Sequence, residues 1–168
     1  MDRIDQRLLT SLQEDSRQSI AELAEQVSLS QSACHRRIKQ LEDKGIIQGY
    51  GARVDGKKLG YAIEFFIEVS LESQHEEALT RFETSVKKIP EILECFLMTG
   101  ESDYILRIAA KDTDDYERFY RETLGKMPGV SRIQSSLVLR TISRRTGYVI
   151  RPSSVSYTHL TLPTILLV

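Results

Sequence analysis

The pattern of residues predicts an α+β protein in two domains, a small helical one followed by a β-α-β-β-α-β sandwich. Two observations carry that expectation. Apolar residues recur at helical spacing as far as Gly45, whereas from Tyr61 they alternate with polar ones or fall in short β-rich runs separated by two helical stretches. Between the two regimes lies Asp55-Gly56-Lys57-Lys58-Leu59-Gly60, a polar, glycine-bearing segment suited to a linker. The 168 residues have room for one ordinary domain or two small ones, and 40% hydrophobic with 28% charged residues is the balance of a folded globular chain.

The helical domain reads in order as follows. Residues 2–13 form a helix with Ile4, Leu8 and Leu12 on one stripe and Leu9 widening it, ended by Glu14-Asp15-Ser16. Ser19-Ile20-Ala21-Glu22 is a capping box, in which the serine accepts from the first turn and the glutamate reaches back to the cap amide. It opens a second helix with Ile20, Leu23, Ala24 and Val27 on one face. After the short turn Ser28-Leu29-Ser30 a third helix runs to Gly45, with Ser30 as N-cap and Gly45 as the left-handed terminator, closed by an apolar contact of Leu41 with Ile46. Three helices with a tight turn between the last two make a helix-turn-helix. Ile46–Val54, with β-branched residues and two glycines, is expected to form a short extended ribbon, a wing.

The third helix carries the functional expectation. A net charge of −1 gives no global sign of nucleic-acid binding, but the charge is segregated. Residues 1–29 hold six carboxylates against three arginines, and residues 30–58 hold seven basic side chains against three acidic ones. Cys34, Ile38 and Leu41 turn to a core, leaving Ser32, Arg36, Lys39 and Gln40 pointing outward, donors of the kind that read purine edges in a DNA major groove. His35 and Arg37 flank that face and suit phosphates, which position without specifying. Arg53 would reach a phosphate from the wing. Asp43 would repel DNA, so the reading half is Gln31–Lys39.

In the second domain Ile63, Phe65, Ile67, Val69 and Leu71 alternate with Glu64, Phe66, Glu68 and Ser70, a strand. Residues 75–89 form a helix on Leu79, Phe82, Val86 and Ile89, stopped by Pro90. Ile92–Thr99 and Tyr104–Ala110 are strands joined by Gly100-Glu101-Ser102-Asp103. Thr113 caps a helix containing Tyr116, Phe119, Tyr120 and Leu124, and Val130–Ile142 is the last strand. Lys88-Ile89-Pro90-Glu91-Ile92 and Lys126-Met127-Pro128-Gly129-Val130 mark the same handover from helix to strand, a faint internal repeat. Two such halves make the ferredoxin-like βαββαβ sandwich, with both helices on one sheet face. Phe66, Phe96 and Met98 are expected on the other face, where a second copy would cover them. The expected domains are a winged helix-turn-helix over 1–54, a linker over 55–60, the sandwich over 61–147 and a tail over 148–168. That tail is uncharged from Pro152 and read as non-native from about that point.

Catalytic motifs are absent: no phosphate-binding glycine loop, no Gly-x-Ser-x-Gly and no His-Glu-x-x-His. His35, His75 and His159 lie in unrelated segments, and adjacent Cys34 and His35 fall on different helix faces, so neither metal nor cofactor is expected. Cys34 and Cys95 sit inside apolar patterns and read as buried thiols of a reducing compartment. With no secretory signal and no apolar run of membrane length, a cytoplasmic protein is expected.

Residues 2–147 resemble the Lrp/AsnC (feast/famine) family of prokaryotic transcription regulators. Asp2-x-x-Asp5-x-x-Leu8-Leu9-x-x-Leu12-Gln13 is similar to that family's first helix. Ala21-Glu22-Leu23-Ala24, Val27-Ser28-Leu29-Ser30 and Arg36-Arg37-Ile38-x-x-Leu41-Glu42-x-x-Gly45-Ile46-Ile47 resemble its helix-turn-helix. Gly100-x-x-Asp103-Tyr104 and Pro128-Gly129-Val130-x-x-Ile133-x-Ser135 resemble its ligand-responsive domain. The resemblance implies a non-enzymatic regulator of double-stranded DNA, dimeric through its C-terminal sheets and often octameric. It also implies a small effector, typically an amino acid, near the loop joining the second and third strands. Carried onto this chain, the effector residues are Gly100, Ser102, Asp103 and Tyr104 with Gln134 and Ser136. Asp103 would pair with an α-ammonium group or simply shape the turn. The alternative function is an effector-independent architectural protein, which would differ in showing little site preference.

Overall fold

The computed structural model describes residues 1–145 and 147–150. By its contacts the chain divides into two compact units: Met1–Ala52 with the described residues from Arg144 on, and Arg53–Ser143. Residues 144 and 145, expected in the second domain, group instead with the first. The tail expected to be non-native lies outside the described residues.

The first unit is built from α1 (Arg3–Glu14), α2 (Ile20–Gln26) and α3 (Gln31–Asp43). Each start is capped as its sequence dictates. Asp2 and Asp5 form a reciprocal capping box on α1, Ser19 and Glu22 form one on α2, and the Ser30 hydroxyl accepts from the Ala33 amide on α3. Leu8, Leu23, Ala24, Val27, Cys34 and Ile38 form the core, with Ile4, Leu12, Ile20, Leu29 and Ile47 packed around it. The end of α3 is a complete Schellman motif. Gly45 takes φ +67°, its amide donates to Glu42 O at 2.8 Å, and the Ile46 amide donates to Leu41 O at 2.9 Å. Ile46, expected to close on Leu41, is 46% exposed, and it is Ile47 that packs against the core. Residues 46–54 form no strand. The expected ribbon is an irregular segment, because no second strand within the described chain pairs with it; Tyr50 instead donates to Glu42 Oε1 at 2.8 Å. Burial first, and that carboxylate second, push the Tyr50 phenol up to about 12.

The second unit has β1 (Ile63–Leu71), α4 (Glu76–Val86), β2 (Ile92–Leu97), β3 (Tyr104–Ala110), α5 (Thr113–Glu122) and β4 (Val130–Leu137). The sheet order is β2-β3-β1-β4 with all neighbours antiparallel, the βαββαβ topology expected. Phe65, Ile67, Val69 and Leu71 of β1 and Tyr104, Leu106 and Ile108 of β3 pack with Phe82, Val86, Leu124 and Met127 under the helical layer. Phe65 stacks on Tyr116 of α5 with ring centroids 3.8 Å apart.

Several boundaries differ from expectation, and β2 ends at Leu97, short of Thr99. Asp112, not Thr113, caps α5, its carboxylate accepting from the Asp115 amide. α4 ends at Val86 and continues to Ile89 only as turns. β4 stops at Leu137, after which only the Val138 amide still bonds to β1, at Glu64 O. β1 begins at Ile63, which the register sets opposite Leu139, so residues 140–142 have no ladder left to join, and Leu139 is itself 91% exposed.

Candidate DNA-reading helix and effector face

Because Cys34, Ile38 and Leu41 are buried at one stripe of α3, the opposite stripe is forced outward. Gln31, Ser32, His35, Arg36, Lys39 and Gln40 are all exposed on it. Arg36, Lys39, His35, Gln31 and Gln40 engage no side-chain partner among the described residues, while Ser32 lies 3.2 Å from the Ser30 hydroxyl. A row of uncommitted donors on a capped, core-anchored helix is a surface ready to exchange water for base edges.

Arg37 does not join them. It is half-buried, and one guanidinium nitrogen donates to Asp2 Oδ2 at 2.7 Å and Asp5 Oδ1 at 2.8 Å. The phosphate contact expected of Arg37 is therefore replaced by a tie between α3 and the cap of α1. The Asp5 amide, and then Arg37, hold the Asp2 carboxyl below its usual range. Arg53 is exposed and groups with the second unit.

The residues expected at the effector site separate into two groups. Tyr104 is buried, tilted against Phe82 with centroids 4.6 Å apart, and its hydroxyl donates to Glu83 Oε1 at 3.0 Å; burial, then Glu83, raises its pKa. Its side chain therefore serves the core and not a ligand, as its alternation with Leu106 and Ile108 already signalled. The Asp103 carboxylate is also committed, accepting from the Leu71 amide at 2.7 Å and from Gln74 Nε2 at 2.7 Å. Of the two roles left open for it, shaping the turn is the one this bonding describes.

The second group shares the sheet face away from the helices. Phe96, Ile105, Glu68 and Gln134 stand opposite one another across all four strands, and Glu94, Arg107, Phe66 and Ser136 form the next row. Ser102 donates to Glu68 Oε2 at 3.0 Å, Arg132 donates to Gln134 Oε1 at 3.1 Å, and Arg132 pairs with Glu101 at 3.0 Å. Arg107 bridges Glu94 at 2.5 Å and Glu64 at 3.3 Å. Gly100 adopts φ +132° in the exposed loop beside this row. Glu68 and Arg132 were not singled out from sequence, although the period-two pattern puts Glu68 on this face. Phe66 and Phe96, 40% and 52% exposed, stand on the open face as expected, and Met98 is 46% exposed next to it. A cleft of about 150 Å³ lined by Glu91, Ile108, Asp115, Arg118 and Phe119 lies at the far end of β3 from Gly100.

The Lrp/AsnC ligand binding domain matches residues 64–148, and a winged helix-turn-helix DNA-binding domain matches residues 1–48. This chain belongs to the Lrp/AsnC family of transcriptional regulators. Among its relatives, the Bkd operon transcriptional regulator of Pseudomonas aeruginosa is 41% identical over 147 residues, 88% of this chain and 96% of the relative. The leucine-responsive regulatory protein of Escherichia coli is 35% identical over 151 residues, covering 90% and 92%. A transcriptional regulator from Neisseria meningitidis, solved in complex with L-methionine, superposes with a TM-score of 0.84 at 40% identity, covering 89% of this chain and 96% of that one. Both halves of the Lrp/AsnC plan are thus present in this chain in order, the helix-turn-helix first and the four-stranded antiparallel sheet with two helices second. Among the described residues, no helix is long and apolar enough to cross a membrane.

Proposed function

We propose that this Lrp/AsnC regulator reads a specific DNA site with the exposed stripe of α3, acts in the cytoplasm as a symmetric pair, and is switched by an amino acid. The uncommitted donors Arg36 and Lys39, set on a helix whose other stripe is core, are the observation that carries the reading. Arg36 supplies a planar fork for a guanine edge, and Lys39, Gln31, Ser32, Gln40 and His35 supplement it. The second copy covers the open sheet face, where Phe66 and Phe96 would otherwise stay wet. Support for an amino-acid effector comes from the methionine bound by the neisserial relative and from the name of the leucine-responsive one. The effector lies beside Gly100 and Ser102, with Gln134 and Ser136 on the strand opposite.

Site selection on random duplex DNA tests the reading. The wild type should yield a two-fold symmetric motif, and Arg36→Ala should lose preference at one base of each half-site by about 1–3 kcal/mol of discrimination. An unchanged motif would put α3 in the wrong orientation. Weak preference at every position would favour an architectural protein.

A further inference from the structure

The chain passes between the two units twice, once between Ala52 and Arg53 and again between Ser143 and Arg144. The first passage follows residues 46–54, which carry Gly49 and Gly51 and form no strand, and a glycine-bearing connection of this kind bends easily. The second passage ends in a clasp. Gln13, at the end of α1, donates through Nε2 to the Tyr148 carbonyl at 3.0 Å and accepts from the Tyr148 amide at 2.7 Å. One side-chain amide thus pairs with one residue's backbone much as two opposed strand residues do. Gly147 makes the approach possible, since a Cβ there would stand 2.7 Å from Gln13 Oε1 and 2.9 Å from its Cδ. Both Gly147 and Tyr148 precede the uncharged stretch that begins at Pro152.

The clasp is not what folds the three helices. Their core is Leu8, Leu23, Ala24, Val27, Cys34 and Ile38, and neither Gln13 nor Tyr148 is part of it. Tyr148 is 90% exposed and Val149 69%, so the returning segment is held by its backbone and buries little apolar surface there. Half-buried Ile150 continues along α1, lining a cleft with Gln6, Arg7 and Thr10. Two hydrogen bonds of ordinary strength hold such a segment closed by a factor of roughly 5–150, which a single substitution undoes.

We propose that Gln13 is a positioning residue for DNA recognition: its grip on Tyr148 turns the second passage into a tether, and the two tethers together set which separation of half-sites the protein accepts. This rests on the reading that the protein binds DNA as a symmetric pair, and it names what fixes the distance between the two recognition helices. One base pair inserted between half-sites moves the second by about 3.4 Å and turns it by about 35°. A helix-turn-helix held at two points answers that shift with lost contacts. One held at a single point follows the DNA, with a lower effective concentration at the best site and a flatter dependence on spacing.

Gel-shift affinities of the full chain for its selected two-fold site, and for the same site with one or two base pairs inserted between the half-sites, test the assignment. The wild type should lose at least about tenfold on insertion. Gln13→Ala, which leaves a strong helix former in α1, should lose less than about threefold on the same insertions. Base preferences within each half-site, and affinity for a single half-site, should match those of the wild type. Gly147→Val breaks the clasp from the other side and should flatten the spacing dependence equally, and the double variant should match either single one. A Gln13→Ala protein with the wild type's spacing dependence overturns the assignment and leaves the paired reading standing. So does one that loses base preference within the half-site, because α1 would then be supporting α3 directly. Should Gln13→Ala fail to fold, Gly147→Val carries the test by the same comparison. A wild type indifferent to the insertions overturns the assignment alone, and one that selects no two-fold site overturns the paired reading with it.

Discussion

Asp103→Ala is the substitution whose cost follows most directly from the geometry. β1 shifts register between Ser70 and Leu71, and at that irregularity the Leu71 amide turns to a carboxylate instead of a strand neighbour. Removing the carboxylate leaves a part-buried amide without its acceptor, a loss of about 1–3 kcal/mol, and the more exposed bond from Gln74 adds about 0.5 kcal/mol. A total of about 1.5–3.5 kcal/mol in a unit of this size corresponds to a fall in Tm of roughly 6–28 °C. Asp103→Asn keeps one carbonyl oxygen for the Leu71 amide and should lose about half as much. Differential scanning calorimetry at matched protein concentration makes the comparison, since association shifts the midpoint by mass action. A fall below about 3 °C for alanine, or equal falls for both variants, would refute the assignment of Asp103 as the lock between β1 and the β2–β3 turn.

Three further outcomes are expected. Arg37→Ala should weaken DNA binding by loosening α3 from α1 while leaving the slope of log affinity against log salt unchanged, because Asp2 and Asp5 already neutralise that charge; a slope reduced by about one would put Arg37 on a phosphate. Phe66→Glu should give monomers by sedimentation velocity at micromolar concentration, and a dimer that persists would move the pairing surface off the open face. The Lys111 amide, then Arg118, hold the Asp115 carboxyl below its usual 3.8, so its contribution to stability is present above that pH and lost as pH falls through the lower folded value. Asp115→Asn should therefore destabilise at neutral pH, with a cost that fades as the pH falls through the wild type's lowered folded value, and a cost unchanged by pH would contradict the sign.

What could be read from the chain, and what could not, divides by range. Helix starts were legible because caps are local: Ser19 with Glu22 and Ser30 with Ala33 lie three residues apart. Strand faces were legible because alternation is local too, which put Phe66 outside and would have put Tyr104 inside had it been followed through that strand. Arg37 was misread because its partners lie more than thirty residues away, and a basic residue on a basic helix carries no mark of an intramolecular pair. β4 was overextended for a related reason, since Leu139 and Ile142 have strand-like character but their pairing depends on where β1 begins. The commitment of Asp103 to Leu71 follows from a shift in ladder register that no pattern along one strand encodes.

The return of the last described residues to the first unit has a consequence for biosynthesis. Gln13 at the end of α1 grips the Tyr148 backbone through two hydrogen bonds, of 3.0 and 2.7 Å, and a Cβ on Gly147 would come within 2.7 Å of the Gln13 amide oxygen. A chain emerging from the ribosome therefore presents α1, α2 and α3 long before the segment that clasps them has been made. The DNA-binding helices are finished last, by residues that follow the whole effector domain, so a nascent or truncated chain offers α3 to DNA without its clasp.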